Sequence, residues 1–159
     1  PIDTVIARCL VECGLYAIVY LVMVAGVFLI REQCLLEDFP LLVTSYLGLA
    51  LTSFGLGLLF MVAGHRYTST YQIVPLVMRP LWFISGVFFP LASLPQWLRP
   101  WVSWNPVLQA IELSRHAFNS NYPLIDDTVS LPYLWAWAGL SCAIGLWVYR
   151  NNERILLTR

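Results

Sequence analysis

The sequence predicts an all-α integral membrane fold: a helical bundle of four transmembrane segments, with an extracytoplasmic re-entrant or interfacial helical hairpin between the last two. Three observations predict it. Hydrophobic residues make up 59% of the 159 and charged residues only 11%, against roughly 25% charged in a soluble domain. Uncharged intervals of 18, 26, 19 and 22 residues separate Glu12 from Arg31, Asp38 from His65, Arg79 from Arg99 and Asp127 from Arg150, each near the about 20 residues a helix needs to enter or cross the hydrocarbon core. Trp97, Trp101 and Trp104 recur at helical spacing between prolines, as indoles do where a short helix lies at the water interface.

The expected spans follow in order. The first covers about residues 10–30, with Asp3, Arg8 and Glu12 at its polar entrance. A polar connector, residues 31–38, closes on Pro40, which suits a first helical position. The second span, about 41–63, carries Thr44, Gly48, Thr52 and Gly55 at three- and four-residue spacing. Small and hydroxylated residues let helices approach closely in lipid, so the stripe packs on a neighbouring helix or, alternatively, faces a substrate groove. The polar break 64–70 includes His65 and Arg66.

The third segment, about 71–91, contains Pro75, Arg79, Pro80, Gly86 and Pro90. Such a helix is kinked or discontinuous, and its freed carbonyls must meet protein or water. The hairpin occupies 93–118, with Asn105 as helix cap and Pro106 as first helical residue. Glu112 and Arg115, three apart, can pair there, weakly if exposed. A polar loop with Asp126 and Asp127 leads to the last span, about 133–149, and a short basic tail.

All nine basic residues are arginine and the net charge is zero, so no basic patch suggests nucleic acid. Cys9, Cys13, Cys34 and Cys142 show no C-x-x-C spacing and no histidine cluster, so no metal site is expected. Cys9 and Cys13, one helical turn apart, form a weak thiol-pair geometry, against which stands plain apolar packing. Placing the tail inside puts Arg8, Arg66, Arg150, Arg154 and Arg159 on the cytoplasmic side and Arg31, Arg99 and Arg115 outside. That orientation follows the positive-inside bias and makes the C-terminus cytoplasmic and the tryptophan hairpin external. Because the chain starts Pro1-Ile2-Asp3, without initiator methionine, basic leader or cleavage pattern, it reads as a fragment lacking upstream helices.

Arg79 stands out, because a cation near hydrocarbon costs about 2.5–3.5 kcal/mol at the bilayer centre on insertion scales and therefore faces protein, water or polar cargo. Trp82, Phe83, Phe88 and Phe89 lie beside it in sequence. Aromatic faces next to a guanidinium that forks onto a carboxylate, sulfate or pyrophosphate suit a polar cargo. The competing reading has Arg79 snorkelling or paired with an acid such as Glu12, and the aromatics simply packing. For the hairpin, Trp97, Arg99, Trp101, Trp104, Glu112 and Arg115 are candidate outer-gate residues; the alternative is an interfacial anchor. His116 has no partner ligand or nucleophile at catalytic spacing and is expected to be structural.

Several segments together resemble the membrane subunit of ABC-2 type exporters, in the capsular polysaccharide, O-antigen and teichoic acid branch. They are Ile6-Ala7-Arg8-Cys9-Leu10-Val11-Glu12; Met78-Arg79-Pro80-Leu81-Trp82-Phe83-Ile84-Ser85-Gly86-Val87-Phe88-Phe89; Leu94-Pro95-Gln96-Trp97-Leu98-Arg99; and Trp104-Asn105-Pro106-Val107-Leu108-Gln109-Ala110-Ile111-Glu112-Leu113-Ser114-Arg115. The ordered set ISGVFF, LPxWLR and WNPxxxxIELxR is specific, where one motif alone is weak. The resemblance implies a six-span permease in the bacterial cytoplasmic (inner) membrane, here represented by its last four spans. It further implies pairing as a homodimer, two copies of a separate ATPase subunit, and export of polysaccharide or lipid-linked polysaccharide. ATP and Mg²⁺ then belong to the partner ATPase: no G-x-x-x-x-G-K-[ST] loop occurs here, and no cofactor of its own is expected. The family places an ATPase-coupling helix before the first span present here, where Asp3 and Arg8 lie; the alternative reading is that both are solvated helix-entrance charges. The acid of a basic–acidic pair seen after the next span is missing from His65-Arg66-Tyr67-Thr68-Ser69, which leaves His65 and Arg66 as coupling candidates without it. The remaining alternatives are an ABC-2 permease for a small hydrophobic substrate and a membrane enzyme on lipid-linked sugar, for which Glu112, His116, Asp126 and Asp127 are the one available cluster.

Overall fold

Long uncharged stretches with few helix breakers become helices, and among the described residues the protein is helical with no strand. The structure, a computed structural model, describes the backbone of residues 2–31, 37–119, 121–122 and 129–157; the side chains of residues 2–5, 23, 27, 28, 30, 31 and 153–157 are outside the description. Cys34, Asp126, Asp127 and Arg159 therefore lie outside the described residues, and Asp3, Arg31 and Arg154 outside the described side chains.

Helix α1, Ile2–Arg31, has 30 residues, about 45 Å at 1.5 Å per residue. At its entrance Arg8 Nε donates to Glu12 Oε1 at 3.0 Å, one turn away and exposed. None of its apolar stretch Ile6–Gly26 is buried by the rest of the chain; a helix apolar all round suits lipid or further helices.

Helix α2, Phe39–Arg66, begins with Pro40 in its first turn, as expected, while Asp38 makes no side-chain cap. Its buried stripe, Ser45, Gly48, Thr52 and Gly55, packs on the last helix, α6, Leu131–Leu157. Leu134 lies over Gly48, and the Ser141–Cys142 peptide lies against Gly55. The register advances in the same direction along both helices, so α2 and α6 run parallel. Buried hydroxyls in this seam are satisfied within α2: Ser45 Oγ donates to Leu41 O and Thr52 Oγ1 to Gly48 O, both at 2.8 Å, which removes the penalty of an unpaired polar group. The stripe is thus a packing face and not an open groove. Thr44 sits at its half-buried edge, donating to Pro40 O at 2.8 Å, and Ser45 takes the buried place.

The third expected span, residues 71–91, is helical only over α3, Thr70–Phe83. Fourteen residues rise about 21 Å, short of the about 30 Å hydrocarbon core, and the segment is discontinuous, one of the two forms its prolines and glycine predict. Among the described residues, three helices contain stretches long and apolar enough to cross: Ile6–Gly26, Phe39–Arg66 and Leu131–Asn152. The break has a local cause. Gly86 adopts φ +78°, a left-handed conformation that glycine takes without strain, and Pro90 follows extended at φ −72°, ψ 147°.

Beyond a 3₁₀ turn, Leu91–Ser93, come the short helix α4, Arg99–Ser103, and α5, Pro106–Phe118. Asn105 caps α5 as the sequence predicts: its side chain accepts from Val107 N at 3.0 Å. Its amide also donates to Leu81 O at 3.3 Å, tying the hairpin to the end of α3. Leu91, Val102, Leu108, Leu113, Val129 and Leu134 close one buried cluster beneath the hairpin. At the other end of α5, Ala117 O accepts the amides of Glu37 and Asp38 at 3.1 and 3.0 Å, which docks the hairpin on the start of α2.

Candidate functional site

The turn at Gly86 folds the chain back over the end of α3 and brings distant aromatics together. Trp82 meets Phe83 and Phe88 edge-on at centroid distances of 5.5 and 5.2 Å, and Phe83 stacks on Phe88 at 5.6 Å with an interplanar angle of 23°. All three rings are exposed on the single chain. Phe89, expected among them, is half-buried and contributes its carbonyl elsewhere. Arg79, one turn before Trp82 and Phe83, is exposed and makes no ion pair among the described residues. Its candidate partner Glu12 is bound to Arg8. Arg79 is therefore a guanidinium one helical turn from an aromatic face.

The hairpin tryptophans point outward: Trp97, Trp101 and Trp104 are exposed, with Trp104 6.3 Å from Trp137 of α6. Arg99 is committed to its own turn, donating through Nε to Leu94 O and through Nη2 to Ala92 O, both at 2.9 Å. It shapes the hairpin from within.

Glu112 and Arg115 differ most from an exposed i,i+3 pair. The Glu112 side chain is 3% exposed and that of Arg115 27%, with Nη1 to Oε1 at 2.6 Å. Oε1 also accepts from Leu91 N at 2.9 Å, and Oε2 accepts from the Tyr122 hydroxyl at 2.8 Å. Arg115 Nη2 donates to Gly86 O at 2.5 Å and, at 3.4 Å, to Val87 O; Nη1 reaches Phe89 O at 3.4 Å. These carbonyls belong to the non-helical turn, where no i+4 amide reaches them, so the guanidinium does what helix bonds do elsewhere. Burial, followed by the hydrogen bond to Glu112, pushes the Tyr122 phenol up to about 12. Because the folded value lies above the usual value near 10, this contribution to stability is complete below about pH 10 and is lost as pH rises through 12. An ultraviolet phenolate titration of wild type against Tyr122→Phe is expected to lose one late-ionising tyrosine; identical late transitions would place Tyr122 in solvent.

Tyr122 and Gln109 were not singled out by sequence. Gln109 donates through Nε2 to Ser103 O at 2.6 Å and accepts from Ser130 N at 3.0 Å, bridging α4 to the start of α6. An aromatic following Asn119-Ser120-Asn121 is the one local signal for Tyr122. The ring nitrogen Nδ1 of His116 lies 3.1 Å from Tyr122 O, consistent with its structural reading.

At the opposite end, His65 is half-buried and Arg66 exposed, closing α2. A groove of about 760 Å³ runs between α1 and α2, past Arg8, Cys9, Glu12, Cys13, Tyr46 and Met61. Across it the Tyr46 hydroxyl donates to Cys13 O at 2.8 Å. Among the described residues no group of three or more His, Cys, Asp or Glu is placed to hold a metal ion.

Residues 1–119 match the ABC-2 type transporter family. The chain belongs to that family. Two curated relatives, both named polysialic acid transport protein KpsM and both from Escherichia coli, are each 38% identical to it over 158 residues, or 99% of this chain. The chain spans 60% of their length. This ABC-2 chain is accordingly a multi-pass membrane protein of a transporter family, and its helical architecture agrees with that membership.

Proposed function

We propose that this chain is the channel-forming part of an ATP-driven exporter that moves polysaccharide, free or lipid-linked, across the bacterial cytoplasmic membrane. The observation that carries the proposal is the 38% identity, along 99% of the chain, to proteins named for polysialic acid transport. The exposed aromatic trio near Arg79 supplies matching chemistry: flat faces for sugar rings and a forked donor for an acidic group. In this reading two copies pair, two ATPase subunits bind ATP and Mg²⁺, and the C-terminus is cytoplasmic. Asp3, Arg8, His65 and Arg66 are the proposed ATPase-coupling residues, while Trp97, Arg99, Trp101, Trp104, Glu112 and Arg115 belong to the outer gate.

Replacing Arg79 by alanine tests the cargo contact. Arg79 is exposed and makes no ion pair among the described residues, so folding and membrane insertion are expected to stay within about 0.5 kcal/mol of wild type. Surface polymer is expected to fall by about tenfold or more, the scale of a lost bond to a charged group. Normal export with normal insertion would remove Arg79 from the pathway. A small hydrophobic substrate fits this polar, aromatic combination less well. For an enzyme, the carboxylate of Glu112 is already occupied by Leu91 N, Arg115 and Tyr122.

A further inference from the structure

We propose that Tyr122 is a positioning residue that, acting through Glu112 and Arg115, latches the turn 84–91 onto α5, so that the aromatic face and the outer hairpin move as one body. Three donors from three parts of the chain converge on one buried carboxylate: Leu91 N from the turn, Arg115 from α5, and Tyr122 from the segment beyond α5. Arg115 spreads the same grip over the carbonyls of Gly86, Val87 and Phe89. Between these anchored atoms lies Phe88, which completes the aromatic trio by packing on Trp82 and Phe83. The trio thus owes its third ring to a turn held by Glu112 and Arg115.

Tyr122 alone of the three donors binds the second carboxylate oxygen. Oε1 of Glu112 serves both the turn and Arg115, whereas its Oε2 takes the Tyr122 hydroxyl. Without that hydroxyl Oε2 has no donor among the described residues, in a site that is 3% exposed. An under-satisfied buried carboxylate re-aims at its remaining donors, and turning both oxygens to Arg115 releases Leu91 N. The segment after α5 would thereby set the position of Phe88 without touching it.

The test uses the full-length permease with its partner ATPase in lipid nanodiscs, reading amide hydrogen exchange by mass spectrometry. Tyr122→Phe is expected to raise exchange in peptides covering 84–91 by about tenfold, leaving α2 and α6 peptides unchanged. Arg115→Lys, which keeps the charge but loses the fork, is expected to do the same and serves if Tyr122→Phe folds poorly. Tyr133→Phe, which removes a hydroxyl donating to Trp104 O, is the control expected to leave 84–91 unaffected. Unchanged exchange at 84–91, or a rise spread equally through α2 and α6, overturns the latch. The link to cargo rests on the proposed function, and is read as polymer exported per ATP hydrolysed. Tyr122→Phe is expected to lower that ratio, which mere loss of folded protein would not move; an unchanged ratio despite raised local exchange overturns the positioning role. A wild-type complex that moves no polysaccharide defeats the cargo reading, and the exchange result then decides the latch by itself.

Discussion

Gly55→Ala is expected to destabilise the protein by about 3 kcal/mol, the upper part of the range for overpacking, by forcing α2 away from α6. A Cβ at Gly55 would overlap the backbone of Ser141 and Cys142, and backbone cannot rotate aside as a side-chain tip can. Two neighbouring glycines calibrate the effect. At Gly48 a Cβ meets only the Leu134 side chain, at 3.0 Å, so Gly48→Ala is expected to cost about 1 kcal/mol. At Gly57 nothing lies within 4 Å, and Gly57→Ala is expected to be neutral or to gain up to about 1 kcal/mol from helix propensity. Denaturant titration in mixed micelles, followed by tryptophan emission, gives the order. Equal stability of the Gly55 and Gly57 variants would show that the two helices do not meet at Gly55.

Glu112→Ala is expected to cost about 3 kcal/mol, the lower part of the range for breaking a buried ion pair, because Arg115 retains partial access to solvent. The loss leaves Leu91 N, the Arg115 guanidinium and the Tyr122 hydroxyl without their shared acceptor. Removing Arg115 as well is expected to cost less than the sum of the two single changes by about 1–2 kcal/mol, since one half of a buried pair is worse than neither. The same titration, run as a double-mutant cycle, reads the coupling. A loss under about 0.5 kcal/mol for Glu112→Ala would make the pair an ordinary exposed one.

The parts of the fold legible in sequence are those governed by neighbours along the chain. Charge-free length located three helices long and apolar enough to cross a membrane, and Pro40 and Asn105-Pro106 marked two helix starts that the structure reproduces. The small-residue stripe of α2 was legible as a packing face, although the choice of Ser45 over Thr44 depends on the angle at which α6 lies. The candidate site was legible in its ingredients: Arg79 and the aromatic run were identifiable as unusual in an apolar segment. Phe89 was grouped with Trp82, Phe83 and Phe88 by adjacency in sequence alone, and beyond the left-handed turn at Gly86 it is half-buried, apart from the exposed trio.

By itself, then, the sequence determined an all-helical membrane chain of the ABC-2 type, the approximate places of three helices long and apolar enough to cross a membrane, and the capped hairpin between α3 and α6. Those features follow from hydropathy over about 20 residues and from caps within three or four, both of which are local. Only the tertiary structure decided that α3 ends at Phe83, that Glu112 is buried with Tyr122 on it, and that Arg79, near the aromatic trio, makes no ion pair among the described residues. The physical reason is separation along the chain: Leu91 and Glu112 are 21 residues apart and Gly86 and Arg115 are 29. A buried polar group takes whichever partner the folded backbone brings within about 3 Å, and no local periodicity encodes that choice.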